Sequence, residues 1–156
     1  MFKILKEIRA EAHCDVPCGI YDPTPAKIAA KTVQRMVMQL KELKPADASD
    51  ANAMLQYANS VARRIAVKEE YAQACKKELE ILWSDFFKPE HLEKFSDLHD
   101  KFWKAAKLCS KNKQEVNEDA AKDLVSAVDE IANMFYEAKN VSERFVAYQT
   151  ITDKLF

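Results

Sequence analysis

Residues 13–23, reading HCDVPCGIYDP, concentrate the metal-binding chemistry of this 156-residue chain: one of its three histidines, two of its four cysteines and its only glycine. His13, Cys14 and Cys18 lie within six residues, and Pro17 with Gly19 forces a turn that lets the two sulfurs converge. So Pro-broken a stretch cannot be helical, and it reads as a metal-binding hook. Structural zinc calls for four protein side chains, whereas only three suitable ones stand here. Mixed nitrogen and sulfur donors in a plane suit nickel(II) or copper(II) better. The remaining nitrogens can come from the backbone. A cut before His13 frees an α-amine of reference pKa near roughly 8, which a metal can deprotonate, and Cys14 then offers both its amide nitrogen and its thiolate.

Something must carry this hook. With 48% hydrophobic and 31% charged residues the chain belongs to the globular class, and a single glycine against five prolines leaves long stretches without helix breakers. The expectation is an all-α fold. Asp22-Pro23-Thr24-Pro25 sets up a first helix, with Thr24 as cap and Pro25 at the first helical position; Ile28, Val33, Met36, Val37, Leu40 and Leu43 form its apolar stripe. A second helix should run from Ala51 to about Trp83, long enough to overhang its neighbours or bend. Leu98, Phe102, Ala105 and Cys109 mark a third, followed by a polar connector over residues 111–117. Asn117 caps a fourth, in which Leu124, Val128, Ile131, Phe135 and Ala138 recur at the spacing of a bundle seam. Residues 141–156 suggest a short fifth helix through Phe145, Tyr148 and Leu155. Four such helices with short connectors predict an antiparallel up-down four-helix bundle carrying an N-terminal hook.

Charge excludes some partners. With 24 basic and 25 acidic residues the net charge is -1, which does not suit nucleic acid. Four cysteines do not make a disulfide scaffold. Residues 1–12 contain Lys3, Lys6, Glu7, Arg9 and Glu11, so they lack the apolar core of a signal peptide, and no membrane span is expected. The reading is cytoplasmic.

HCDVPCGIYDP resembles the amino-terminal hook of the nickel superoxide dismutases, and residues 83–99, WSDFFKPEHLEKFSDLH, resemble that family's other characteristic segment. The likeness runs from about residue 13 to 139. It implies a removable leader (propeptide) at 1–12, cut off by a processing protease, and a nickel superoxide dismutase domain at 13–156. That domain divides into a hook at 13–23, a bundle at about 25–139 and a C-terminal extension at 140–156. It implies a homohexamer with one nickel ion per subunit, held by the α-amine and imidazole of His13, the amide and thiolate of Cys14 and the thiolate of Cys18. His13, Asp15 and Tyr21 are the implied catalytic residues, Tyr21 restricting access to small anions, and Pro17 matches a proline whose cis peptide shapes the hook. The implied reaction is disproportionation of superoxide to oxygen and hydrogen peroxide, with nickel alternating between the 2+ and 3+ states. Sulfur and amide donors favour the higher state.

Ala29 and Tyr71 stand where many members pair a glutamate with an arginine to orient the imidazole, and Phe86 stands where a tyrosine is frequent. The competing reading is a non-catalytic bundle that sequesters nickel or copper with the same hook. Elsewhere the bland readings lead: His91 and His99 as solvated or capping groups, Cys75 and Cys109 as small apolar side chains, and Lys27 and Lys88 as solvated surface lysines, although either could attract superoxide.

Overall fold

The computed structural model of the chain describes residues 19–156. His13, Cys14, Asp15, Pro17 and Cys18 lie outside that range, as does the leader. Among the described residues there are five α-helices and no strand: α1 (Thr24–Glu42), α2 (Ala51–Ile81), α3 (Leu98–Gln114), α4 (Glu118–Ala138) and α5 (Glu143–Thr152). Each of the first four packs on the next and α4 returns to α1, closing a helical bundle on which α5 lies against α1 and α4. Among the described residues no helix is long and apolar enough to cross a membrane.

The start of α1 differs from the sequence expectation. Pro23 occupies the cap position and makes no side-chain cap bond, and Thr24 is already helical. Asp22 takes over, its Oδ1 accepting the Thr24 amide at 2.8 Å. A short carboxylate reaching two residues ahead is the aspartate turn, and two prolines leave fewer amides to satisfy. The stripe of α1 also shifts: Ala26, Ala30, Val33 and Val37 are fully buried while Ile28 is 44% exposed. Alanines on the inner face let the helices approach closely, which turns the larger Ile28 outward.

In α2, Asp50 is the cap, its Oδ1 accepting the Ala53 amide at 3.0 Å. The helix has 31 residues, about 46 Å at 1.5 Å per residue. Its core contacts fall in the second half, at Lys68, Ala72, Cys75 and Leu79. Leu55 is exposed, and Val61 and Ile65 are half-buried, so the first half packs on one side only, with Arg64 Nε donating to Gln39 Oε1 of α1 at 3.3 Å. Of the expected α4 seam, Leu124, Val128, Ile131 and Phe135 are buried in one cluster with Leu79, Leu98 and Phe102, while Ala138 is half-buried at its edge.

α3 runs to Gln114, four residues into the stretch expected to be a connector. Asn112 is fully buried there, and its Nδ2 donates to the carbonyls of Leu108 at 3.0 Å and Ala120 at 2.8 Å, joining α3 to α4. Lys68, 2% exposed, donates from Nζ to the carbonyls of Asn112 and, at 2.9 Å, Lys113. A lysine of α2 thus caps the negative end of α3. Burial lowers its pKa, partly opposed by Glu69. Replacing it by a methionine of similar length removes both bonds but also the buried charge, so Lys68→Met is expected to lower stability by about 1–2 kcal/mol in urea unfolding.

Cys75 and Cys109 are fully buried and unpaired by any disulfide, as small apolar residues should be. A hydrogen bond with Cys109 and burial together push the Cys75 thiol well above its ordinary pKa.

Candidate active site

The candidate site lies where the chain leaves α1 towards the hook. Gly19, the first described residue, has φ +70°, a left-handed conformation that favours glycine. It opens a groove of about 500 Å³ lined by Gly19, Tyr21, Asp85, Phe86, Lys88, Glu90, His91, Ala138 and Lys139. Three segments meet there: the root of the hook, the turn after α2 and the end of α4.

The turn after α2 is built unusually. Leu82–Phe86 forms one π-helical turn, closed by the Phe87 amide donating to the Leu82 carbonyl at 3.0 Å. Pro89 prevents the helix from continuing, and the widened turn rotates the two adjacent phenylalanines apart. Phe87 enters the core at 7% exposure; Phe86 lines the groove, its ring centroid 5.9 Å from Tyr21 and 4.4 Å from Phe135. Such turns occur often at functional sites. A short 3₁₀ turn, Pro89–Glu93, follows. His91 Nδ1 accepts the Lys88 amide at 3.0 Å while its ring stacks on Phe86 at 5.9 Å, so the capping reading of His91 holds. His99 Nδ1 accepts the Trp83 indole N–H at 2.8 Å.

Of the residues singled out in the sequence, Tyr21 and Phe86 are brought together, and Lys88 stands exposed beside them. Lys139, which sequence reasoning missed, is a second lysine on the same groove, its Nζ 5.3 Å from the Phe135 ring centroid. Its position at the end of the α4 seam was the available signal. Ala29 is buried and Tyr71 packs partly buried on the same core, so both positions serve apolar packing.

Lys27 requires a correction. It is fully buried, with Nζ 2.6 Å from both carboxylate oxygens of Asp129 and 3.2 Å from Asp153 Oδ1. It is a structural cation of α1, since α4 and α5 enclose it, and it is not available to an anion in the groove.

The chain matches the family model described as nickel-containing superoxide dismutase over residues 8–139. It belongs to that family. It is 32% identical over 133 residues to the superoxide dismutase (Ni) of Streptomyces seoulensis, covering 85% of this chain and 92% of that one. The enzyme of the same name from Streptomyces coelicolor is 32% identical over 136 residues, with the same coverages. A crystal structure of a nickel-containing superoxide dismutase with ligation corresponding to the oxidised state superposes with a TM-score of 0.70 at 31% identity, covering 82% of this chain and 99% of the other. The native nickel superoxide dismutase structure gives 0.70 at 30%. The chain is thus an enzyme of superoxide dismutation with nickel as its cofactor.

The donor chemistry fits that metal. Among the described residues no group of three His, Cys, Asp or Glu side chains could hold a metal ion, whereas His13, Cys14 and Cys18 supply nitrogen and sulfur immediately before Gly19.

Two phenols next to the root of the hook carry perturbed acidity. Burial, and then the Asp22 carboxylate, raise Tyr136 to about 12; burial and Asp129 raise Tyr148 further. A raised folded-state pKa contributes stability in full below the unfolded value of 10.0 and loses it as pH climbs through the folded value. Stability is therefore expected to fall between pH 10 and about 12, in step with phenolate absorbance, and Tyr148→Phe should flatten that decline.

Proposed function

We propose that superoxide is dismuted at a nickel centre made by residues 13–18 once the residues before His13 have been removed. The observation that carries this reading is the groove of about 500 Å³ opening directly at Gly19, next to the donor-rich hook. His13 would hold nickel through its α-amine and imidazole, Cys14 through its amide nitrogen and thiolate, and Cys18 through its thiolate. Nickel, when bound, supplies the one-electron chemistry by alternating between the 2+ and 3+ states. The protein's own residues do the rest. Tyr21 and Phe86, with centroids 5.9 Å apart, narrow the approach so that a small anion enters and larger reductants do not. Lys88 and Lys139 place positive charge on a groove that also holds Asp85 and Glu90, and Asp15 stands among the implied site residues. A homohexamer, a processing protease for residues 1–12 and a cytoplasmic location belong to the same reading.

The processed, nickel-loaded protein is expected to show a low-spin nickel(III) signal in electron paramagnetic resonance and to consume superoxide. A diamagnetic, inert nickel adduct would support the sequestering bundle instead. Removing both groove cations, Lys88→Ala with Lys139→Ala, is expected to lower kcat/KM by roughly 3- to 10-fold and to flatten its dependence on ionic strength, because steering of an anion is screened by salt.

A further inference from the structure

We propose that α5 is a clamp on the root of the hook, with Tyr136 as the positioning residue that passes its hold to Asp22. The family match ends at residue 139, before α5 begins at Glu143, so this helix is an addition to the shared region. Its attachment is specific. Tyr148 and Thr152 are the buried residues of α5 and Phe145 packs beside them on the core, while Val146 and Ile151 stay 65% and 68% exposed, so the apolar contact is narrow. Polar bonds add direction to it. The Tyr148 hydroxyl donates to Asp129 Oδ1 at 3.0 Å, and Asp153, just after the helix, reaches the buried amine of Lys27 at 3.2 Å. One lysine in the first turns of α1 thereby ties α4 and the end of α5 together.

Tyr136 continues the link. Its ring lies 5.8 Å from Tyr148 and 6.4 Å from Phe145, and its hydroxyl donates to Asp22 Oδ2 in a long bond of 3.5 Å. The other oxygen of Asp22 holds the Thr24 amide. Asp22 is thus held by Tyr136 of α4, whose ring α5 covers, and by the start of α1, four residues after Cys18. A metal site binds tightly when groups outside the ligand set hold its donors in place, and a fixed Asp22 limits where the preceding hook residues can go.

This inference rests on the nickel reading above for its functional consequence, so the test uses two readouts. In the nickel-free chain, hydrogen–deuterium exchange at the amides of residues 19–24 is compared between the parent, Tyr136→Phe and Tyr148→Phe. In the processed, nickel-loaded chain, nickel loss to a competing chelator is followed in the same variants. The expected result for both variants is exchange about tenfold faster at 19–24, with the bundle core unchanged, and nickel lost about tenfold faster, the scale typical of outer positioning groups. Unchanged exchange at 19–24 in both variants would overturn the clamp, as would an increase spread evenly over the bundle, which is what a merely structural role gives. Failure of the processed parent to bind nickel would overturn the nickel reading alone, because the exchange comparison needs no metal.

Discussion

A chain that still carries its first twelve residues is expected to show superoxide consumption no higher than the metal-free background, even after incubation with nickel. The uncut chain has a peptide amide at His13 where the proposed ligand set needs an amine. That amide's nitrogen lone pair is delocalised into the carbonyl, so it could donate only by losing its proton as the Cys14 amide does, and the neutral amine of the proposed set would still be missing. Losing one of the nitrogens costs more than losing an outer contact, so activity should drop by at least about 100-fold relative to the processed form. The comparison is between two purified forms of one chain, one beginning at Met1 and the other at His13, with the amino terminus of each verified by mass. Full activity in the uncut form would sink the ligand set. Cys14→Ser in the processed form supplies a control, since it keeps the amine and removes a thiolate, and it too should lose nickel.

The second large effect concerns stability. Lys27→Ala is expected to destabilise the fold by about 3 kcal/mol, within the range for breaking a buried ion pair from one side. Asp129 is left with Tyr148 and partial solvent, its side chain being 23% exposed, so the penalty sits at the lower end. Asp153 contributes little, at 59% exposure. Lys27→Met keeps most of the packing volume and should cost roughly half as much. Urea unfolding of the three proteins measures both. A loss under about 1 kcal/mol in the alanine variant would mean that the pair exerts little net hold.

Much of this architecture was legible because helix-forming chemistry is local. The caps at Asp50 and Asn117 follow from short side chains that accept an amide three residues on, at 3.0 Å in each case. The α4 seam follows from apolar steps of three and four. What escaped were features set by distant partners. Lys27 looks like any lysine on an amphipathic helix, and its burial depends on Asp129 and Asp153, more than a hundred residues away. Lys68 and Asn112 carry polar side chains into the interior for the same reason, each finding backbone carbonyls of another helix. The π-helical turn at Leu82–Phe86 has no periodic signature at all. Of the site itself, the position of Tyr21 opposite Phe86 agrees with their place in the two recognised segments, whereas Lys139 entered the groove only through the packing of α4 against the turn after α2.

Cys75 and Cys109, buried on α2 and α3, have a practical bearing on an enzyme whose product is a peroxide. A thiol without solvent access meets almost no oxidant, and the raised pKa of Cys75 further lowers its thiolate. Core sulfur is thereby shielded from the reaction's own product, whereas the proposed ligand set asks Cys14 and Cys18 to bind nickel through theirs. Thiol-specific reagents applied to the folded, nickel-free protein should therefore count Cys14 and Cys18 against a silent background, and two further thiols should emerge only on denaturation. Labelling stoichiometry thus becomes a direct gauge of how many hooks in a preparation are reduced and ready for metal.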